Sequence, residues 1–281
     1  YMLRQQDLVE QRLHADAVSF GGWALDLHPA DGVYSEKPGC SQWHSRGVYQ
    51  IPYRCLYSRN ITNLFLAGRI ISATHVAFSS TRVQATLASA AQAVGMAAAL
   101  CLRGGMRPAA LASSPFIQQL QHDLLRQGQY IPGVRLDDPD DLARQARIRA
   151  SSVFRLAALP ADGVPVPLEN SWAQMLPVQP GKMPAVSFLL DVTEPVTLQV
   201  ELRTSDRPEN YTPDVTLETH TFAVQAGKRQ QLTVPFDATI DAARYVFVCL
   251  LKNPAVAVHT TQQRASGILS VCNTQNPSVS N

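Results

Sequence analysis

Two stretches of this chain carry residue types whose spacing could do chemistry. The first is Asn63-Leu64-Phe65-Leu66-Ala67-Gly68-Arg69, an apolar run that ends at a glycine. The second follows a polar crossing, Ile71 to His75, and reads Phe78-Ser79-Ser80-Thr81-Arg82, a cluster of hydroxyls placed to cap a helix start. Val83 to Leu102 then predicts one long helix, rich in Ala with Val, Leu and Met, and stopped by Gly104-Gly105. A strand, a glycine, a capped helix entry and a small-residue helix are how α/β folds aim free N–H groups and a helix dipole at an anion or an electron-rich ring. The same unit also serves plain packing, and the residues alone leave both readings open.

Elements that must position this unit are legible on either side. Arg4 to Leu13 has helical character. Gly21-Gly22-Trp23-Ala24-Leu25-Asp26-Leu27-His28-Pro29 reads as a glycine turn followed by an extended segment, because a residue before proline is biased away from helix. Tyr49 to Arg54 is extended. Asn63 to Gly68 predicts a short buried strand of the interior parallel kind. Phe116 to Leu125 predicts an amphipathic helix, and the acidic run Asp137 to Asp141 a helix start. That run lacks the spaced pattern of a calcium loop.

From about residue 153 the apolar period becomes two. Val196, Leu198, Val200 and Leu202 alternate with Thr197, Gln199 and Glu201. Further strands are predicted at Val186–Val192, Thr219–Val224, Gln231–Phe236, Tyr245–Leu251 and Gly267–Cys272. Thr193-Glu194-Pro195, Ala226-Gly227-Lys228 and Asn253-Pro254 are read as turns between them. The fold class is therefore α+β in two parts. A strand plus a long Ala-rich helix, an incomplete α/β portion, precedes an antiparallel β-sandwich of the jelly-roll, galactose-binding-like kind. The predicted divisions are 1–105, a helical connector 106–152, and the sandwich 153–275, with Asn276 to Asn281 frayed.

Composition limits the partners. The 281 residues are 46% apolar and 16% charged with a net charge of +2, so no broad basic field argues for nucleic acid or a membrane surface. The five cysteines are scattered and odd in number without a CxxC pair, which argues against a zinc site or a disulfide framework; no metal is expected. No leader and no uninterrupted apolar span is read, and Leu87 to Leu102 is taken as a buried helix. The opening Tyr1 suggests a piece of a longer protein. The compartment stays open, with a periplasmic or secreted setting as the working expectation.

The string NLFLAGRIISATHVAFSSTRVQATLASAAQAVGMAAAL, residues 63–100, resembles the closing flavin-binding motif of a family of bacterial FAD-dependent oxidoreductases, some of which carry a xanthan lyase label. GGWALDLHP and YQIPYRCLY resemble that family's preceding segments, so the likeness spans about residues 15–102. Its usual pattern places AGR, ISATH, GS-x-RVM and GQAAG in this order; here Ser79 stands for the Gly, Gln84 for the Met, and Ala91 for the Gly of GQAAG. The resemblance implies FAD as cofactor, with Gly68 and Arg69 near its ribityl or pyrophosphate. It implies that Ser79, Ser80, Arg82, Val83 and Gln84 form the helix start beneath the ring. His75 and His28 would face the substrate as catalytic candidates, His28 as a base. Trp23 and Arg54 are substrate candidates, for stacking on a sugar and for pairing with a carboxylate.

No GxGxxG turn occurs anywhere in the chain, so the cradle for the dinucleotide phosphates is missing. The reading is thus the C-terminal part of an FAD-dependent oxidoreductase that moves a hydride from a polar, carbohydrate-related substrate, and that is not competent alone. The alternative is a carbohydrate-binding or docking sandwich, using Tyr211 and Tyr130. Homo-oligomerisation is a further expectation. No nucleophile elbow, P-loop or HExxH is present, and nothing argues independently for polysaccharide elimination.

Overall fold

The computed structural model describes residues 1–153, 156–208 and 210–272. The frayed end expected at 276–281 and the last three expected sandwich positions, 273–275, lie outside them. The chain divides into two compact units, 1–147 and 148–281.

The first unit runs α1 (Gln5–Val9), β1 (Ala17–Gly21), β2 (Leu25–Leu27), β3 (Ser41–Trp43), β4 (Tyr49–Pro52), α2 (His75–Thr81), α3 (Gln84–Arg103), α4 (Pro108–Leu111) and α5 (Phe116–Arg126). β1 and β4 pair antiparallel with Gly21 opposite Tyr49, and β2 pairs antiparallel with β3. α3 lays Thr86, Ala90, Ala93, Ala97 and Cys101 against β1 and the other helices. Those positions recur every three or four residues, which is one helix face. Small side chains there let the backbone come close.

Buried glutamines bind α5 and the segment after it into the same body. Gln121 Nε2 donates to the carbonyls of Ala15 and Ala17 (3.0 and 2.9 Å), and Gln129 Nε2 to those of Val18 and Ser89 (both 2.9 Å). Ile117, Leu120 and Leu124 complete the core with Val18, Ile51 and Leu56. A fully buried Leu such as Leu120 contributes roughly 2 kcal/mol.

Three local expectations need correction. Residues 63–68 form no strand; only Phe65 bridges Tyr57, and Leu64 is exposed. An interior parallel strand needs neighbours on both sides, and the described residues supply none. The hydroxyls of Ser79, Ser80 and Thr81 do not cap the long helix either. They lie in the last turn of α2, which is capped at its own start by Thr74 Oγ1 accepting from the Ala77 N–H (3.3 Å), while α3 begins after Val83. Finally, the acidic run opens only a 3₁₀ turn, Leu142–Gln145, with Asp141 accepting from the Ala143 N–H.

α3 is less buried than its apolarity suggests. Gln84–Gly104 is long and apolar enough to cross a membrane by length and composition, yet only 28% of its 18-residue apolar window is buried. Ala85, Ala88, Gly95, Ala98, Ala99 and Leu102 face outward.

The second unit is a β-sandwich-like pair of antiparallel sheets. Its strands are β5 (Val166–Leu168), β6 (Trp172–Val178), β7 (Gly181–Lys182), β8 (Val186–Val192), β9 (Val196–Thr204), β10 (Val215–Val224), β11 (Gly227–Val234), β12 (Thr239–Ile240), β13 (Arg244–Leu250), β14 (Asn253–Val258) and β15 (Leu269–Val271). One sheet has the order β10-β9-β13-β6-β15, the other β11-β8-β14-β5, and β7 pairs with β12. Leu198, Val200 and Leu202 are fully buried with Leu190, Val246, Val248 and Val256, as the two-residue period requires. Asn253-Pro254 is not a turn but the start of β14. The register slips between Asn253 and Ala257, which accommodates the missing proline N–H.

Candidate functional site

The geometry begins at the glycine turn. A Cβ on Gly21 would collide with the ring of Tyr49, so any larger residue there must displace that ring. Tyr49 is buried, and burial raises its phenol, keeping it a neutral donor. Its hydroxyl meets Ser80 Oγ at 2.7 Å, and Ser80 Oγ donates to the Trp23 carbonyl at 2.6 Å. This relay fastens β2 and the loop before it to α2.

Arg82 completes the joint. It ends α2, directly before α3, and reaches back so that Nη2 lies 2.8 Å from Asp26 Oδ2. The same oxygen lies 3.3 Å from His28 Nε2. Asp26 is buried in β2, with an Oδ1 that accepts no hydrogen bond from the protein. The Arg82 side chain is 28% exposed and that of His28 is 55% exposed, so the cluster is solid at its carboxylate and open at its imidazole. His28 is thus anchored to Asp26 through Nε2 while more than half of its side chain stays exposed.

The remaining sequence-derived candidates fall at different distances from this cluster. Ser79 is turned inward, its hydroxyl donating to the Val76 carbonyl (2.6 Å). Val83 precedes α3 and provides no side-chain cap, so the first-turn N–H groups beginning at exposed Gln84 have no side-chain acceptor. Gly68 takes φ +71° and opens a 3₁₀ turn; Arg69, next to it, lies over the Phe78 ring of α2 (5.6 Å to the centroid). His75 is exposed in the first turn of α2. Seven residues of helix, about 10 Å, separate it from Arg82. Trp23 and Trp43 are about half exposed, and Trp43 sits opposite Leu25 on the β2–β3 ribbon.

Arg54 stands apart. Asp16 holds its Nε and Nη2 at 2.8 and 3.0 Å and also accepts its backbone N–H, while the guanidinium covers the Tyr1 ring. That pairing raises its pKa further and occupies the fork that a substrate carboxylate would need. Among the described residues no group of three or more His, Cys, Asp and Glu side chains could hold a metal ion.

Asp26 and Tyr49 are the two members that reading the sequence missed. The signal for Asp26 was present: a lone carboxylate between Leu25 and Leu27 in a short strand must be paired when buried.

Comparison with known proteins bears on the first unit only. Residues 1–124 match the family model described as FAD dependent oxidoreductase, from α1 to the last turn of α5. No curated protein and no solved structure matches the chain. The donors fit part of such a cofactor. The open N–H groups at the start of α3 suit the electron-rich edge of a flavin ring, whereas the hydroxyls of Ser79 and Ser80 and the fork of Arg82 already serve protein acceptors. No GxGxxG turn to cradle the dinucleotide phosphates occurs in the chain.

Proposed function

We propose that the first unit is the ring-facing portion of an FAD-dependent oxidoreductase domain and that these 281 residues do not hold FAD unaided. The observation that carries this reading is the shared carboxylate of Asp26. It joins His28, the candidate base, to Arg82 at the α2–α3 joint, so substrate-side and cofactor-side candidates form one rigid cluster. The uncovered apolar face of α3 supports incompleteness, because Ala85, Ala88, Gly95 and Leu102 have the character of a face that packs on further structure.

In this reading the substrate is polar and carbohydrate-related, approached along the exposed face of Trp23. FAD supplies the redox chemistry when bound. His28 serves as the candidate base, Asp26 fixes the imidazole orientation, and Arg82 holds the Asp26 carboxylate in place. Elimination from a polysaccharide forms no part of the reading.

Titration of the isotope-labelled chain with FMN, a soluble flavin without the adenosine half, tests the assignment of the ring-facing end. Weak amide shifts at residues 80–87 and 23–28 are expected, and they should persist in an R59Q/R107Q background, where the FMN phosphate finds no arginine pair. No shift at either segment at about 10 mM flavin, a concentration where even roughly 3 kcal/mol of binding would register, would count against it.

A further inference from the structure

We propose that a cavity in the first unit, apart from the cluster around Asp26, binds a small organic anion, a carboxylate or a phosphate ester, between Arg59 and Arg107. The cavity has a volume of about 330 Å³ and is lined by Tyr1, Tyr57, Ser58, Arg59, Thr62, Arg107 and Ala109. That size suits a compact ligand. It shares no lining residue with the cluster around Asp26.

The charge in it is unbalanced. Arg107 Nη1 donates to Thr62 Oγ1 (3.1 Å) and Arg59 Nε donates to Asn60 Oδ1 (3.3 Å), and both acceptors are neutral. Among the described residues no carboxylate lies within 4.0 Å of either guanidinium. The acids of the neighbourhood are used elsewhere. Asp7 accepts from the Tyr1 hydroxyl, and Asp16 is taken by Arg54. Each arginine therefore keeps most of its fork of donors for a ligand, and two such forks favour an anion with several acceptor oxygens.

The walls are also held in place before any ligand arrives. Ser58 Oγ accepts the N–H groups of Asn60 and Ile61 (3.2 and 3.0 Å), and the Ser58 N–H reaches the Leu64 carbonyl (2.9 Å). On the other side Tyr53 donates to the Pro108 carbonyl (2.8 Å), which fixes the chain next to Arg107. The rings of Tyr1 and Tyr57 and the methyl of Ala109 give the cavity an apolar side. An anionic head on a small ring or alkyl body matches this division, and preformed donors reduce the ordering cost of binding.

The test is an arginine Nε–Hε NMR titration of the whole chain with three probes: inorganic phosphate, phenyl phosphate and benzoate. Saturable shifts of Arg59 and Arg107 at about 1 mM or below are expected for at least one organic probe, with R59Q and R107Q each weakening it about tenfold. The relative affinity of phenyl phosphate and benzoate then distinguishes the two sources of the anion. Both arginines are exposed, so the variants should keep the wild-type denaturation midpoint, and R59Q alone suffices should R107Q disturb α4. The proposal is overturned if no probe saturates by about 10 mM, or if the R59Q/R107Q double variant binds as wild type. It is also overturned if inorganic phosphate alone binds and R59Q leaves that binding unchanged.

Discussion

Arg82 and Asp26 are 56 positions apart in sequence and 2.8 Å apart in space, which makes their contact the clasp between the α2–α3 joint and the β2 strand. The carboxylate is buried and the guanidinium is 28% exposed, so the pair lies between the surface and interior limits. R82Q removes the closer of the two partners of Asp26 Oδ2. A loss of about 2 kcal/mol is expected in urea denaturation, discounted from the 3–5 kcal/mol typical of a fully buried pair. D26N/R82Q should cost less than the sum of the two single variants by at least about 1 kcal/mol. Simple additivity would mean that the clasp carries no coupling.

Gly21 and Tyr49 test the other side of the cluster. G21A places a methyl against the Tyr49 ring and is expected to cost about 1–3 kcal/mol. The added Cβ would collide with two ring carbons of Tyr49 as well as with its phenol oxygen, so Y49F should leave most of that loss in place, whereas in a Y49A background G21A should cost little more. A G21A/Y49A protein that loses as much stability relative to Y49A as G21A loses relative to wild type would show that the added methyl meets something other than the Tyr49 ring.

The buried thiols set a pH dependence. Burial penalises the thiolate and pushes Cys55 and Cys249 from 9.0 up to about 12. Unfolded thiols release protons from about pH 9, while the folded ones keep theirs, so the folded state binds more protons in that window. Stability is therefore full below about pH 9 and falls as pH rises toward 12, by about 1–2 kcal/mol per thiol at about pH 10.5. Denaturation midpoints at pH 8 and 10.5 check this, and C55A/C249A should flatten the decline. The same burial predicts that a thiol reagent labels exposed Cys40 first and reaches Cys55 and Cys249 only on unfolding.

In the second unit, Leu202 of β9 is fully buried between the sheets. L202A should cost about 2–5 kcal/mol through lost burial and the cavity left behind. T197A, on the partly exposed side of the same strand, should stay within about 0.5 kcal/mol. Equal effects would mean that the inward and outward alternation of β9 is misassigned.

Much of this architecture could be read from residue pattern, and the failures have physical causes. The period of two between Val196 and Leu202 placed β9, and the Ala-rich run placed α3, because each reflects one continuous buried face. The supposed strand at 63–68 failed because its apolar pattern expects neighbouring strands, and Phe65 finds only Tyr57. In the candidate site, His28, Ser80, Arg82 and Trp23 were legible as residue types. Their arrangement was not, since it depends on Asp26 and Tyr49, whose contacts span 56 and 31 positions. Arg54 shows the converse, a good residue type whose fork the fold has already filled with Asp16.

The most direct measurement is an FAD titration of the 281-residue protein, followed by flavin absorbance and fluorescence. No saturable binding tighter than about 100 μM is expected, because the ring-facing donors alone lack the contacts that hold a dinucleotide. Binding at about 1 μM with a shifted flavin spectrum would contradict the central claim, since it would require a phosphate cradle within these residues.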